Sequence, residues 1–367
     1  MSYRDLAATL AARRAEIAAF HAVAGFDGFV DEMIQVVGER RGVGDFTPMQ
    51  GIADFAAWAA AAAGRSSLRE IVIHRQDAGG CAVNLADGLG SLGVRTELFA
   101  TVGSPPEHAF APALERLAAV HPVGDVFGRT LALEFSDGKL MLPAVAQLAQ
   151  LDAALAERDL CQGAFPAACG RAGLIAMTNW TLYPHMTAVW RLLGERVFSR
   201  MTHRPSFVID LVDPSGRSRE DITAMLAMLP RLSACGFVSL ALNLNEANVL
   251  ARLLGLAGGS DDQDMAALAA RLRLAIGVGE VAIHAVRFAA CSGSAGEACV
   301  RGPYCAKPVK LTGAGDRFNA GYGLGLLLAL PAEQRLRLGA ATSGCFVRRG
   351  ASADLDALIA ACPSFDA

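Results

Sequence analysis

The sequence has no CxxC pair, no HxxxH or HExxH spacing, no basic stripe and no apolar run long enough to cross a bilayer. Without paired cysteine or histidine ligands there is no indication of a structural or catalytic zinc site. The nine cysteines (Cys81, Cys161, Cys169, Cys235, Cys291, Cys299, Cys305, Cys345 and Cys362) are scattered, and their odd number leaves at least one thiol unpaired. Reduced thiols in a cytosolic protein fit that pattern. The 33 basic and 36 acidic residues are interspersed and give a net charge of −3, which argues against nucleic acid as a partner. The Ala56–Ala63 run is too short for a membrane span. Arg13, Arg14 and Glu16 interrupt Leu6–Phe20, which would have to be the core of a secretion signal. The expectation is a soluble, cytoplasmic protein with no membrane partner. Repeats, low-complexity tails and linkers are also missing, so residues 1–367 read as one domain.

Apolar residues make up 53% of the 367 positions and charged ones only 19%, enough for a large core. Residues 2–20 carry a helical pattern, and His21–Gly25 is a short strand ending in the turn-prone Phe26-Asp27-Gly28. Helices are expected at 52–63 and Val83–Leu92, and strands at Glu70–His74 and Val94–Val102. Arg129–Leu142 reads as two strands around a turn at Ser136-Asp137-Gly138. Strands at 174–178, 207–211 and 237–242 then alternate with helices at 186–198, 219–230 and 246–254. Gly258–Asp264 reads as a polar loop, 281–285 and 298–300 as strands, and 315–330 as the last strongly apolar helix. Short apolar strands alternating with helices predict an α/β fold with a mostly parallel sheet covered on both faces. A small β-rich lid is expected from about residues 28–48 and 126–142.

Two glycine clusters compete as phosphate sites. Gly88-Leu89-Gly90-Ser91-Leu92-Gly93 matches GxGxxG, but a helical pattern precedes it and a strand follows, the reverse of the dinucleotide arrangement. Leu311-Thr312-Gly313-Ala314-Gly315-Asp316 instead leads straight into a helix. Small residues there let backbone N–H groups converge on an anion at a helix N-terminus. Asp316 could simply cap that helix, yet a cap does not call for three small residues before it. A nest with a carboxylate beside it sets a negative transferring group next to a proton acceptor, as phosphoryl transfer requires.

Thr312-Gly313-Ala314-Gly315-Asp316-Arg317-Phe318-Asn319-Ala320-Gly321 resembles the C-terminal signature of the ribokinase-like (PfkB-type) carbohydrate kinases. Gly79-Gly80-Cys81-Ala82-Val83-Asn84-Leu85-Ala86 is similar to that family's di-glycine signature, and Asn243-Leu244-Asn245-Glu246 to its NxxE motif. The resemblance runs from about Ala22 to Ser352. It implies a three-layer fold and an ATP-dependent small-molecule kinase acting on a sugar-like hydroxyl. Asp316 would be the base, the Gly313, Ala314 and Gly315 N–H groups the anion hole, and Thr312 and Asn243 nucleotide contacts. Asn243 and Glu246 would organise water around Mg²⁺; they could also form a simple helix cap. Gly79, Gly80 and Asn84 would lie against the sugar. Asp27 and Asp31 are both candidates for a substrate-binding acid, and Asn179, just after a strand, is a further one, beside a Trp180 that could equally be core.

Three positions depart from the family pattern. Val286 stands where a nucleotide-loop glycine is expected, Lys310 where many relatives have an Asp near a monovalent cation, and Gly103-Ser104-Pro105-Pro106 lacks an acid. The acceptor stays open between a sugar and a nucleoside, and a catalytically weak ligand-binding relative is the reading from another class. The lid hairpin implies a homodimer contact, because an exposed strand edge needs a partner.

Overall fold

The computed structural model describes residues 2–260, 262–294 and 296–366. Its strands are β1 (His21–Phe26), β2 (Phe29–Gly42), β3 (Asp45–Pro48), β4 (Ile71–Gly79), β5 (Arg95–Ala100), β6 (Ala119–Pro122) and β7 (Gly128–Phe135). They continue with β8 (Gly138–Ala144), β9 (Leu174–Met177), β10 (Ser206–Asp210), β11 (Phe237–Asn243), β12 (Glu280–His284), β13 (Phe288–Gly293) and β14 (Gly296–Arg301).

Nine of these form one sheet in the order β14-β13-β12-β11-β10-β9-β1-β5-β6. Pairing is parallel from β12 through to β6 and antiparallel only where β13 meets β12 and β14. Leu174-Ile175-Ala176-Met177 is fully buried, and so is most of Phe207–Asp210, as expected where helices cover both faces. One face packs on a cluster holding Trp180, Trp190, Phe165 and Phe207. The other packs on the helices Cys81–Ser91 and Ala314–Leu327. Trp180 is a core residue, its Nε1 donating to Thr187 Oγ1 at 2.7 Å.

The second sheet has five strands, β3-β2-β7-β8 with β4 on the other side of β2. β1 passes into β2 through Asp27-Gly28 alone. A Cβ at Gly28 would sit 2.6 Å from the Thr101 carbonyl oxygen, so only glycine fits that crossing. The lid is therefore wider than segments 28–48 and 126–142: β4 belongs to it, and the helix Ile52–Ala61 packs through Phe55 on its outer cluster of Ile34, Val36 and Leu133.

The N-terminal helix divides at Arg13, whose N–H closes the first segment on Thr9 and Leu10. The loop expected over Gly258–Asp264 gives way at Asp262 to a helix running to Ile276, Asp261 lying outside the described residues. The helix Ala332–Arg349, beyond the last one expected, packs closely along Ala314–Leu327. Among the described residues no helix is long and apolar enough to cross a membrane.

Candidate active site

Strands β1, β9, β10, β11 and β12 run parallel, so their carboxyl ends open on one edge of the sheet, where open α/β sheets bind ligands. Three helices begin near that edge: Cys81–Ser91, Leu244–Leu253 and Ala314–Leu327.

Gly313, at φ +90, caps the last of these, a conformation that glycine tolerates and other residues resist. The Ala314 N–H donates back to the Leu311 carbonyl at 3.0 Å, so it is engaged and not available to an anion as expected. Among the described residues the N–H groups of Gly313, Gly315 and Asp316 have no acceptor. The free donor set thus skips Ala314 and takes in Asp316. A Cβ on Gly315 would stand 3.1 Å from His284 Cε1, which explains a glycine against that ring.

Asp316 is buried, and its Oδ2 accepts from Asn84 Nδ2 at 2.8 Å. Burial, followed by the charge of Asp210, pushes its pKa from 3.8 up to about 7. Asp210 ends β10, held by Asn319 Nδ2 at 2.6 Å and the Val212 N–H at 3.0 Å, and burial raises it as well. Sequence reasoning missed Asp210. The signal available was a carboxylate closing an apolar strand at the ligand-binding edge.

Asn243 and Glu246 form a reciprocal capping box: the Glu246 N–H donates to Asn243 Oδ1 at 2.9 Å, and the Asn243 N–H to Glu246 Oε2 at 2.8 Å. The cap alternative is thus realised. Glu246 is nevertheless buried, and desolvation first, then Asp210, holds its carboxyl well above the usual range.

The substrate-side candidates separate. Asp27 has no exposed surface, and its carboxylate accepts from the Cys81 and Ala82 N–H groups, Thr178 Oγ1 and Asn179 Nδ2 at 2.7–2.8 Å. It caps the helix Cys81–Ser91 from below, so every strong acceptor position is taken. Asn179 is 2% exposed, spent on Asp27 and the Leu182 N–H. Neither presents a free group to a ligand. Asp31 does: it lines a cleft of about 780 Å³ between lid and body, with Arg75, Asp77, Glu134, Lys310 and Thr312. Desolvation raises its pKa. Gly79 lies against it, since a Cβ there would meet the Asp31 carboxylate at 2.7 Å. Gly80, at φ +96, turns the chain into the following helix.

A second cavity, about 450 Å³ and mainly apolar, lies on the other side of Leu311, with His284, Phe288, Pro303, Phe318 and Val347 in its walls. Val286 stands exposed at its rim. Burial drops His284 to about 4, which keeps the ring neutral. A wider concavity of about 1180 Å³ beside β6 holds none of the candidate residues.

Lys310 Nζ is 3.2 Å from Asp77 Oδ2 of β4. Its charge therefore faces the lid, neither free in solvent nor turned to the anion loop.

A family model for prokaryotic ketohexokinase matches residues 4–364. A ketohexokinase of Haloferax volcanii is 30% identical over 337 residues, covering 91% of this chain and 88% of that protein. A carbohydrate kinase from Agrobacterium tumefaciens superposes with a TM-score of 0.63 at 16% identity, over 94% of this chain and 97% of that one. Arabidopsis thaliana ribokinase, solved with ribose and ATP, also gives 0.63 at 16% identity, over 93% and 98%. These two likenesses establish the ribokinase-like fold. The chain belongs to the prokaryotic ketohexokinase family. It is a sugar kinase, a phosphotransferase with an alcohol group as acceptor.

Proposed function

We propose that the enzyme transfers the γ-phosphoryl group of ATP to a hydroxyl of a ketohexose. The observation that carries this reading is the meeting of two unlike cavities at one segment: Thr312 lines the polar cleft, Ala314 and Gly315 line the apolar one, and Leu311 lines both. The apolar cavity suits a nucleobase, and the polar one a polyol. Between them lie the free N–H groups of Gly313, Gly315 and Asp316.

In this reading the sugar sits on Asp31 with its reacting hydroxyl at Asp316. The carboxylate, oriented by Asn84, accepts the hydroxyl proton as the oxygen attacks phosphorus. The N–H groups bind the charge that spreads over the transferring oxygens, and their positions are set before reaction. A carboxylic acid tuned near neutrality is a better base for an alcohol than an ordinary aspartate, with about half of it ionised near neutral pH. Asn243 and Thr312 would border the nucleotide phosphates.

Mg²⁺ fits this donor set. Asp210, Glu246 and Asp316 crowd their charges at the site, and each has a raised pKa. Among the described residues no three acidic, His or Cys groups are disposed to ligate a metal together. Glu246 would therefore hold the ion through water, with Asn243 shaping its position, as Mg²⁺ prefers. When bound, the ion neutralises charge on the nucleotide phosphates.

The lid's outer face carries exposed Ile71, Ile73, Leu131 and Leu142, all opposite the Asp31 face, beside a helix Ile52–Ala61 with no buried residue. This exposed apolar surface supports a homodimer through the lid. An ADP-release screen over ketohexoses, aldoses, sugar phosphates and nucleosides tests the reaction. Turnover of nucleosides without turnover of any ketohexose would overturn it.

A further inference from the structure

We infer that Lys310 is an acceptor-binding, specificity-determining residue of the sugar cleft, one that joins the lid to the phosphoryl-transfer loop through Asp77. The inference rests on the sugar-kinase reading above and adds the residue that recognises the sugar from the body side.

Lys310 stands three residues before Gly313, on the segment leading into the free N–H groups, and lines the same cleft as Asp31. Asp77 belongs to β4, directly paired with Asp31 of β2. The 3.2 Å contact between Lys310 and Asp77 therefore spans the cleft beside the one carboxylate free to meet a sugar. An ammonium has three N–H donors, and among the described residues Asp77 is the sole acceptor for Lys310. Two donors remain in a cleft whose neighbouring acid, Asp31, has carboxylate lone pairs to offer. Donors and acceptors on opposite walls suit adjacent hydroxyls, each of which gives one hydrogen bond and takes others.

The charge pattern also sets the acceptor's class. Lys310 and Arg75 both pair with Asp77, and Lys139 pairs with Glu134 at 3.0 Å. Among the described residues, the exposed Arg349 at the rim is the one cleft cation left without a carboxylate. A cleft whose cations are already matched favours a neutral sugar over a sugar phosphate or sugar acid, whose charge would have to break those pairs.

The pair is half-buried at the cleft wall, and with Lys310 replaced Asp77 keeps Arg75 at 2.8 Å, so Lys310→Met leaves no orphaned carboxylate and isolates the binding role. The test takes the neutral sugar that the wild-type enzyme turns over best and measures Lys310→Met, Lys310→Arg and Asp77→Asn. Lys310→Met should raise KM for the sugar about 10–100-fold, the scale of a lost charged hydrogen bond. The KM for ATP and kcat should stay within about threefold. Lys310→Arg should recover part of the loss, and Asp77→Asn should raise the sugar KM by a smaller factor. Sugar KM values unchanged in both Lys310→Met and Asp77→Asn would overturn the inference. So would a rise in the ATP KM with the sugar KM unmoved, since Lys310 would then serve the nucleotide. If no ketohexose is a substrate, the proposed function fails, while the KM ratios on the actual sugar still decide Lys310.

Discussion

Replacing Asp316 with asparagine keeps shape and removes a single charge, and its consequences run in opposite directions for rate and stability. General-base assistance is worth about 10²–10⁴-fold, so kcat should fall by that factor, about 3–5 kcal/mol of barrier. Stability should rise. Burial and the charge of Asp210 lift the carboxyl from 3.8 to about 7, and at about 1.4 kcal/mol per unit this sets an upper bound of ~4 kcal/mol on what ionisation costs the unliganded fold. An acid with a raised native pKa contributes fully below its unfolded value, and that contribution is lost as pH climbs through the native one. Asp316→Asn should therefore melt higher than wild type at pH 8, with the gain shrinking towards pH 4. Its amide can still meet Asn84, which now donates to Asp316 at 2.8 Å. The wild-type kcat/KM should drop about tenfold per unit below pH 7, and the variant's residual rate should lose that limb. Calorimetry at several pH values beside steady-state kinetics reads all three effects. Turnover within a few-fold of wild type, or a lower Tm at pH 8, would refute the assignment, because a residue serving only as a helix cap would cost stability when altered.

Three further outcomes follow from the same geometry. Glu246→Gln keeps the capping box with Asn243 but removes a buried charge; it should raise the Mg²⁺ concentration for half-maximal rate by about 10–100-fold, and an unchanged Mg²⁺ titration would remove Glu246 from the metal's surroundings. The rate should be nearly independent of K⁺ when a bulky organic cation replaces it at constant ionic strength, because Lys310, paired with Asp77, supplies no carboxylate for a monovalent ion; a several-fold loss would show a working cation site. Light scattering should give a dimer mass for the wild type and a monomer for Leu131→Glu with Leu142→Glu, whereas a monomeric wild type would dismiss the lid contact.

Much of the architecture was readable along the chain. Leu174–Met177 and Phe237–Asn243 are apolar runs bounded by helical patterns, and parallel strands buried on both faces leave that trace. The loop before Asp316 was readable for a similar reason: small residues ahead of a helix have a local meaning. The same locality misassigned Ala314, whose N–H turns back to Leu311 within three residues. It also left Asp27 and Asp31 undivided, since both follow one strand and only their surroundings differ.

Those surroundings are tertiary. Asp27 is consumed by the Cys81 and Ala82 N–H groups and by Thr178 and Asn179, while Asp31 passes into the lid and faces the cleft. Asn84 meets Asp316 across 232 positions, and Lys310 meets Asp77 across 233. Hydrophobic periodicity and backbone capping act over a few residues, so the chain alone determined the α/β order and the three motifs, and with them the proposal of Asp316 as base. Which carboxylates are satisfied, which are left free, and which are pushed towards neutrality depends on how much water and which charges the fold removes or brings near. Only the packed structure decides that.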